Sequence, residues 1–227
     1  ARQADPYDDR YYRDLMHELP PLQHIERGTA LDVHHTITPP TSRFAVDAGR
    51  LIAAARPVSA QSRLSVLAPA DMVLHSAVHL MQDGDFSTGL RDVLDVVDLV
   101  KTFEPEPGFW PTLLARAAEM RLGEPLCDVL TQARRVADLQ LPPEVASALD
   151  GLSPRRLRNR LVARLLSVAI RPNHPDCDLL STALVRWLLY VRSHWLRMPW
   201  YQILPHLSRK AWKRLRNSAA DRQSPPM

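Results

Sequence analysis

Gly28-Thr-Ala-Leu-Asp-Val-His-His-Thr-Ile37, closed by Thr38-Pro39-Pro40-Thr41, is the stretch in which the chain changes character. Its residues alternate with period 2, which predicts a half-buried strand over 29–37. Leu31, Val33, His35 and Ile37 fall on one face, mostly apolar and suited to packing on a core. Ala30, Asp32, His34 and Thr36 fall on the other. That second face lines up a carboxylate, an imidazole and a hydroxyl about 6–7 Å apart. A strand carboxylate aimed into a cleft is one way to hold Mg²⁺ for phosphoryl transfer. A solvated polar face on an edge strand has the same pattern.

On the N-terminal side, Pro20 and Pro21 exclude a helix interior, so Met16–Gln23 reads as extended and able to pair with the strand. On the C-terminal side, Pro39-Pro40 ends the strand. Helical spacing takes over from there: first Val46–Ala55, then Leu67-Ala-Pro-Ala-Asp71 as a helix start running to Gln82 and stopping near Gly84. Further helices are predicted at about 87–103, 109–121, 124–138, 143–150, 154–170, 177–197 and 200–217, with prolines at the joints. The expected fold is therefore mainly α with a small β remnant, an α+β chain. Its divisions would be 1–62 for the β-containing part, 63–217 for a helical domain and 218–227 for a disordered tail.

Composition narrows the class. Twenty prolines against seven glycines favour helices separated by stiff loops. Cys127 and Cys177 form no Cys-x-x-Cys pair, which leaves neither a disulfide framework nor a zinc ribbon and suits a reducing, cytoplasmic setting. No apolar run is long enough for a membrane span. Charge is uneven: fourteen Lys/Arg face only Asp176 and Asp178 between Ser153 and Asn217. Within that region Trp187, Trp195, Trp200 and Trp212 lie among Arg186, Arg192, Arg197, Arg209, Lys210, Lys213, Arg214 and Arg216. Such a face suits an anionic partner, either nucleic acid or a membrane surface. It equally suits core tryptophans covered by arginine stems.

His75 and His79 share a helical face at i, i+4. Zinc can be held that way, with Asp83 and Asp85 completing a hydrolase site, but Ser76 stands where a zincin carries its glutamate. The alternative is a structural polar network of His75 and His79 with Asp92 and Asp95 on the next helix.

Four pieces, taken in order and spacing, carry a resemblance: Met16-His-Glu-Leu-Pro-Pro-Leu-Gln-His24, Leu31-Asp-Val-His-His35, Leu67-Ala-Pro-Ala-Asp-Met-Val-Leu-His-Ser-Ala-Val-His-Leu80 and Leu90-Arg-Asp-Val-Leu-Asp95. Over Tyr7–Val100 the chain resembles an uncharacterised bacterial nucleotidyltransferase family, distantly similar to the DNA polymerase β-like enzymes. The resemblance implies a partial nucleotidyltransferase sheet followed by a helical domain, a nucleoside triphosphate substrate with Mg²⁺, and transfer of a nucleotidyl group to an unspecified acceptor. Asp32 matches the third metal-binding carboxylate of that superfamily and would be catalytic. His34 would contact phosphate or orient Asp32. No Asp-x-Asp pair precedes Asp32, and Asp8-Asp9 is adjacent rather than spaced. The resemblance thus implies a fragment or a divergent member, inactive by itself.

Overall fold

Ala68-Pro69 sets the start of the helix around which the molecule is built. Proline in the first turn costs no hydrogen bond there, because the first N–H groups of a helix have no intrahelical partner. Gly84, at φ 79°, ends the helix with a residue that tolerates the left-handed region. In the computed structural model, which describes residues 16–20, 22–44, 46–153, 156–199 and 201, this helix spans Pro69–Asp83. It is α2 in chain order, and Ala70, Val73, Leu74, Ala77, Val78, Leu80 and Met81 are all buried. A helix apolar on nearly every side must be enclosed.

The enclosing elements follow from the sequence. α1 (Ala48–Ala54) starts at Asp47, whose carboxylate accepts from the Gly49 N–H at 2.8 Å. α3 (Gly89–Phe103), α4 (Phe109–Glu119) and α5 (Gly123–Ala137) follow α2, and α3, α4 and α5 all pack on it. α6 (Pro143–Leu152), α7 (Arg156–Ala169) and α8 (Thr182–Arg197) follow in turn. α8 returns to lie against α2 and α7. One core runs through these elements and includes Phe44 and Leu51 from the N-terminal part. Among the described residues, no helix is long and apolar enough to cross a membrane. The fold is mainly α with two small antiparallel sheets, as the pattern of the sequence predicts. The expected 200–217 helix and 218–227 tail lie outside the described residues, apart from Tyr201.

The sheets are smaller than the alternation implies. β1 (Leu22–Gln23) pairs with β2 (Ala30–Leu31), with Leu22 opposite Leu31. β3 (Arg56–Pro57) pairs with β4 (Ser65–Val66), a hairpin that the sequence reading leaves as loop. In the first hairpin the ladder is interrupted beyond Leu22, and a single bridge resumes at Glu18–His34. From Glu18 to Leu22 is four residue steps, against three from Leu31 to His34. One extra residue therefore sits on the first strand, at the segment containing Pro20, which has no N–H to offer. The continuous strand over 29–37 is thus corrected to two paired residues and one bridge. Its core-facing side is corrected too: Leu31 is 61% exposed and His35 is exposed, while Ile37 does pack against the core.

Asp71, in the first turn of α2, does more than complement the helix dipole. Its carboxylate is fully buried and receives both Nε (2.9 Å) and Nη2 (2.8 Å) of Arg116 from α4. Arg116 also donates to Glu119 at 2.8 Å, and Glu119 accepts from Arg50 of α1 at 2.5 Å. Three helices are tied by this two-pronged pair. Removing one member of a buried pair strands the other charge. Asp71→Ala is expected to lower unfolding stability by about 3–5 kcal/mol, read from urea denaturation, whereas Arg91→Ala, at an exposed 3.9 Å pair with Asp95, should change it by under about 1 kcal/mol.

Candidate functional site

The interrupted hairpin forms one wall of a cavity of about 270 Å³. Met16, His17, Glu18, Asp32, His34 and Ile37 line it from the hairpin, His79, Gln82 and Asp83 from the last turns of α2, and Arg197 from the end of α8. Each wall has a local cause. Glu18 and His34 are a bridged pair on neighbouring strands, so their side chains share a face; His34 Nε2 lies 3.5 Å from Glu18 Oε2. Leu19 N–H donates to the Val33 carbonyl at 2.8 Å, and His35 N–H to the His17 carbonyl at 3.0 Å. The tip of the hairpin is fixed by Gly28 at φ 67° and by His24, whose Nδ1 accepts from the Glu26 and Arg27 N–H groups.

The α8 wall is held by a dense set of bonds. Gly84 lies so close to Ser193 of α8 that a Cβ at residue 84 would overlap the hydroxyl. Beyond that contact, Arg197 donates to the carbonyls of Gln82 and Asp83, which are left open where α2 ends. It also lies 3.7 Å from the Asp83 carboxylate. The loop after the hairpin clips the end of α8 in return. Thr41 donates to the Arg197 carbonyl at 2.8 Å, Arg43 N–H to the Leu196 carbonyl at 2.9 Å, and the Arg43 guanidinium stacks 3.4 Å over the Trp195 ring.

Electrostatically the cavity gathers three carboxylates, Glu18, Asp32 and Asp83, against one guanidinium, Arg197. Among the described residues, Asp32 carries no hydrogen bond or ion pair and is exposed to the cavity. Burial, reinforced by the charges of His34, Arg197, His79 and His35, pushes His17 down to about 4. His75 is lowered as well, first by burial and then by His79.

The sequence-predicted residues are thus partly assembled. Asp32, His34 and His79 meet in one cavity. His75 lies one turn back, its ring 6.1 Å from that of His79. Asp92 is raised by burial, offset by a hydrogen bond from Thr88 Oγ1 (3.3 Å) and by the charge of His79. Asp95 pairs with Arg91, and Asp85 turns away to accept from the Ser87 N–H at 2.9 Å. Among the described residues, the group with metal-ligating atoms all within 4.8 Å of one another is His17, Glu18 and His34, rather than His75 and His79 with their neighbours. His17, Glu18 and Arg197 escape the sequence reading as site residues. The register of the hairpin would have found Glu18, opposite His34; nothing local marks His17 or Arg197.

The arginines and tryptophans of α8 separate. Trp187 is 58% exposed, whereas Arg186 donates to the Ala169 and Arg171 carbonyls, Arg192 reaches inward to within 3.5 Å of buried Asp128, and Arg197 is in the cavity wall. The remaining members of the basic cluster, with Trp200 and Trp212, lie outside the described residues.

A family described as uncharacterised nucleotidyltransferase matches residues 1–138. The chain belongs to this nucleotidyltransferase family. No curated protein and no solved structure matches it. The matched region ends at the close of α5, so the cavity joins family residues on the hairpin and α2 to Arg197, which lies beyond the match.

Because His17 is lowered from 6.5 to about 4 in the folded protein, the unfolded chain takes up its proton first on acidification. The His17 contribution to stability is complete above pH 6.5 and lost as pH falls toward 4. An NMR titration should find the His17 imidazole still neutral at pH 5.5, and His17→Gln should shrink the acid-induced fall in unfolding stability over that window.

Proposed function

We propose that the cavity is the phosphate-and-cation pocket of a nucleotidyl-transfer site, and that Asp32 is its working carboxylate. The observation that carries this reading is the convergence of Asp32, free of partners within the described residues, with Glu18, Asp83 and Arg197 in one cavity of a nucleotidyltransferase-family chain. A wall with more carboxylates than guanidinium groups repels a bare triphosphate. It accepts one together with a divalent cation, because the cation takes oxygen ligands from both sides. The donor set fits Mg²⁺: a carboxylate oxygen from Asp32, with substrate phosphate and water for the rest. Mg²⁺ bound there would draw off the charge that develops on the triphosphate.

The chain's own residues have separate tasks. Asp32, on the hairpin, is placed to accept the proton of an acceptor hydroxyl as its oxygen attacks the α-phosphorus, with pyrophosphate leaving in line. Arg197, anchored through the α2 carbonyls, would offer its positive charge to the phosphates from the cavity wall. His34, paired with Glu18, is a positioning residue beside Asp32. One carboxylate holds Mg²⁺ weakly in water, so cation binding is expected to need the substrate phosphates as co-ligands.

Calorimetric titration with a nucleoside triphosphate and Mg²⁺ tests the reading. Saturable binding is expected, weakened about tenfold or more, equivalent to about 1.4 kcal/mol, by Asp32→Asn. No binding by the folded protein, or binding indifferent to Asp32→Asn, would sink it.

A further inference from the structure

The three side chains His17, Glu18 and His34 have a geometry that ion pairing alone does not require. Successive residues of a regular strand point to opposite faces, so His17 and Glu18 should diverge. Here the chain bends at His17, whose carbonyl accepts from two successive N–H groups, those of His35 (3.0 Å) and Thr36 (3.4 Å). The bend brings His17 to the side of Glu18 and of the bridged His34. The His17 and His34 rings lie 5.1 Å apart at 45°, and one ligating atom from each of the three residues falls within 4.8 Å of the others. Ligand atoms around a tetrahedral ion with bonds of about 2.0–2.1 Å stand about 3.3 Å apart. The His34–Glu18 separation of 3.5 Å is already there. Independently, Nδ1 of His17 is buried and has no hydrogen-bond partner among the described residues, a state that costs free energy unless another ligand takes its lone pair.

We infer that His17, Glu18 and His34 form a binding site for a divalent first-row transition ion such as Zn²⁺ or Co²⁺. Two imidazoles and one carboxylate select these ions over Mg²⁺, which prefers an all-oxygen shell. Three protein ligands leave a tetrahedral ion one exchangeable position, and Asp32, His79 and Arg197 line the same cavity as the triad. The inference shares its cavity with the proposed nucleotide site but needs no nucleotide.

The test is a titration of the whole chain with Co²⁺ alone, read by visible absorption, and with Zn²⁺ alone, read by calorimetry. One equivalent is expected to bind saturably. His34→Asn and Glu18→Gln, both at partly solvated positions, should each weaken binding by about tenfold or more while leaving the circular dichroism unchanged. His174→Asn, at the exposed His174–Asp176 pair before α8 and not among the cavity-lining residues, should leave it unaltered. Absence of saturable binding, indifference to both substitutions, or equal affinity for Mg²⁺ would overturn the inference. Because these titrations contain no nucleotide, they succeed or fail separately from the triphosphate measurement.

Discussion

The approach of α8 to the end of α2 is the constraint on which the cavity depends. It has a steric half and a polar half. Gly84 removes the side chain that would collide with Ser193, and Arg197 then reaches the two carbonyls that the end of α2 exposes. Neither half suffices. Without the glycine the helices stand apart; without the guanidinium two carbonyls stay open beside a half-apolar wall. Thr41 and Arg43 close the arrangement from the opposite direction, by using the last carbonyls of α8. Two helix ends and one loop thus satisfy one another's backbone groups, and the hairpin is suspended from that junction over the cavity.

Buried charge is handled in two ways in this fold. Asp71 and Arg116 meet fork to fork, with both carboxylate oxygens occupied. Asp128 and Arg192 do not. Their separation is 3.5 Å, and among the described residues Oδ2 of Asp128 lacks a hydrogen bond and nearby Gln132 leaves Oε1 unpartnered as well. Burial outweighs the attraction of Arg192 and pushes Asp128 up to about 6. Since the folded state holds that proton more tightly than the unfolded chain, the Asp128 contribution to folding is complete below pH 3.8 and lost as pH rises through about 6, opposite in direction to His17. The two groups partly cancel over mildly acidic pH.

Helices and their ends were legible because their causes are local. Pro69, Gly84 and the proline joints mark boundaries without reference to the rest of the chain. The meeting of Asp32 with His34 followed from strand alternation, and their approach to His79 from nothing in the sequence pattern. What could not be read was register. Alternation over 29–37 is compatible with a continuous strand, and only the pairing shows the extra residue near Pro20 that breaks it and the bend at His17 that turns this ring toward Glu18. Arg197 was read as part of a basic surface because composition records charge and not direction. Its role is set by a contact across 114 positions of sequence, to Asp83. The β3–β4 hairpin, two residues per strand, is too short to leave a periodic signal.

The hairpin tip has a consequence of a different kind. His24–Thr29 closes on itself through its own backbone and the His24 ring, Gly28 faces open space, and Ile25 stands 90% exposed. His17 and Glu18 lie on one side of this tip and Asp32 and His34 on the other. The covalent link between the two halves of the cavity therefore runs through a loop that the core does not hold. Among the described residues, a chain opened there would keep every helix on one piece and the His17–Glu18 arm with β1 on the other. That makes the tip a natural place to divide the protein into two complementing fragments, with reassembly reported by the cavity itself.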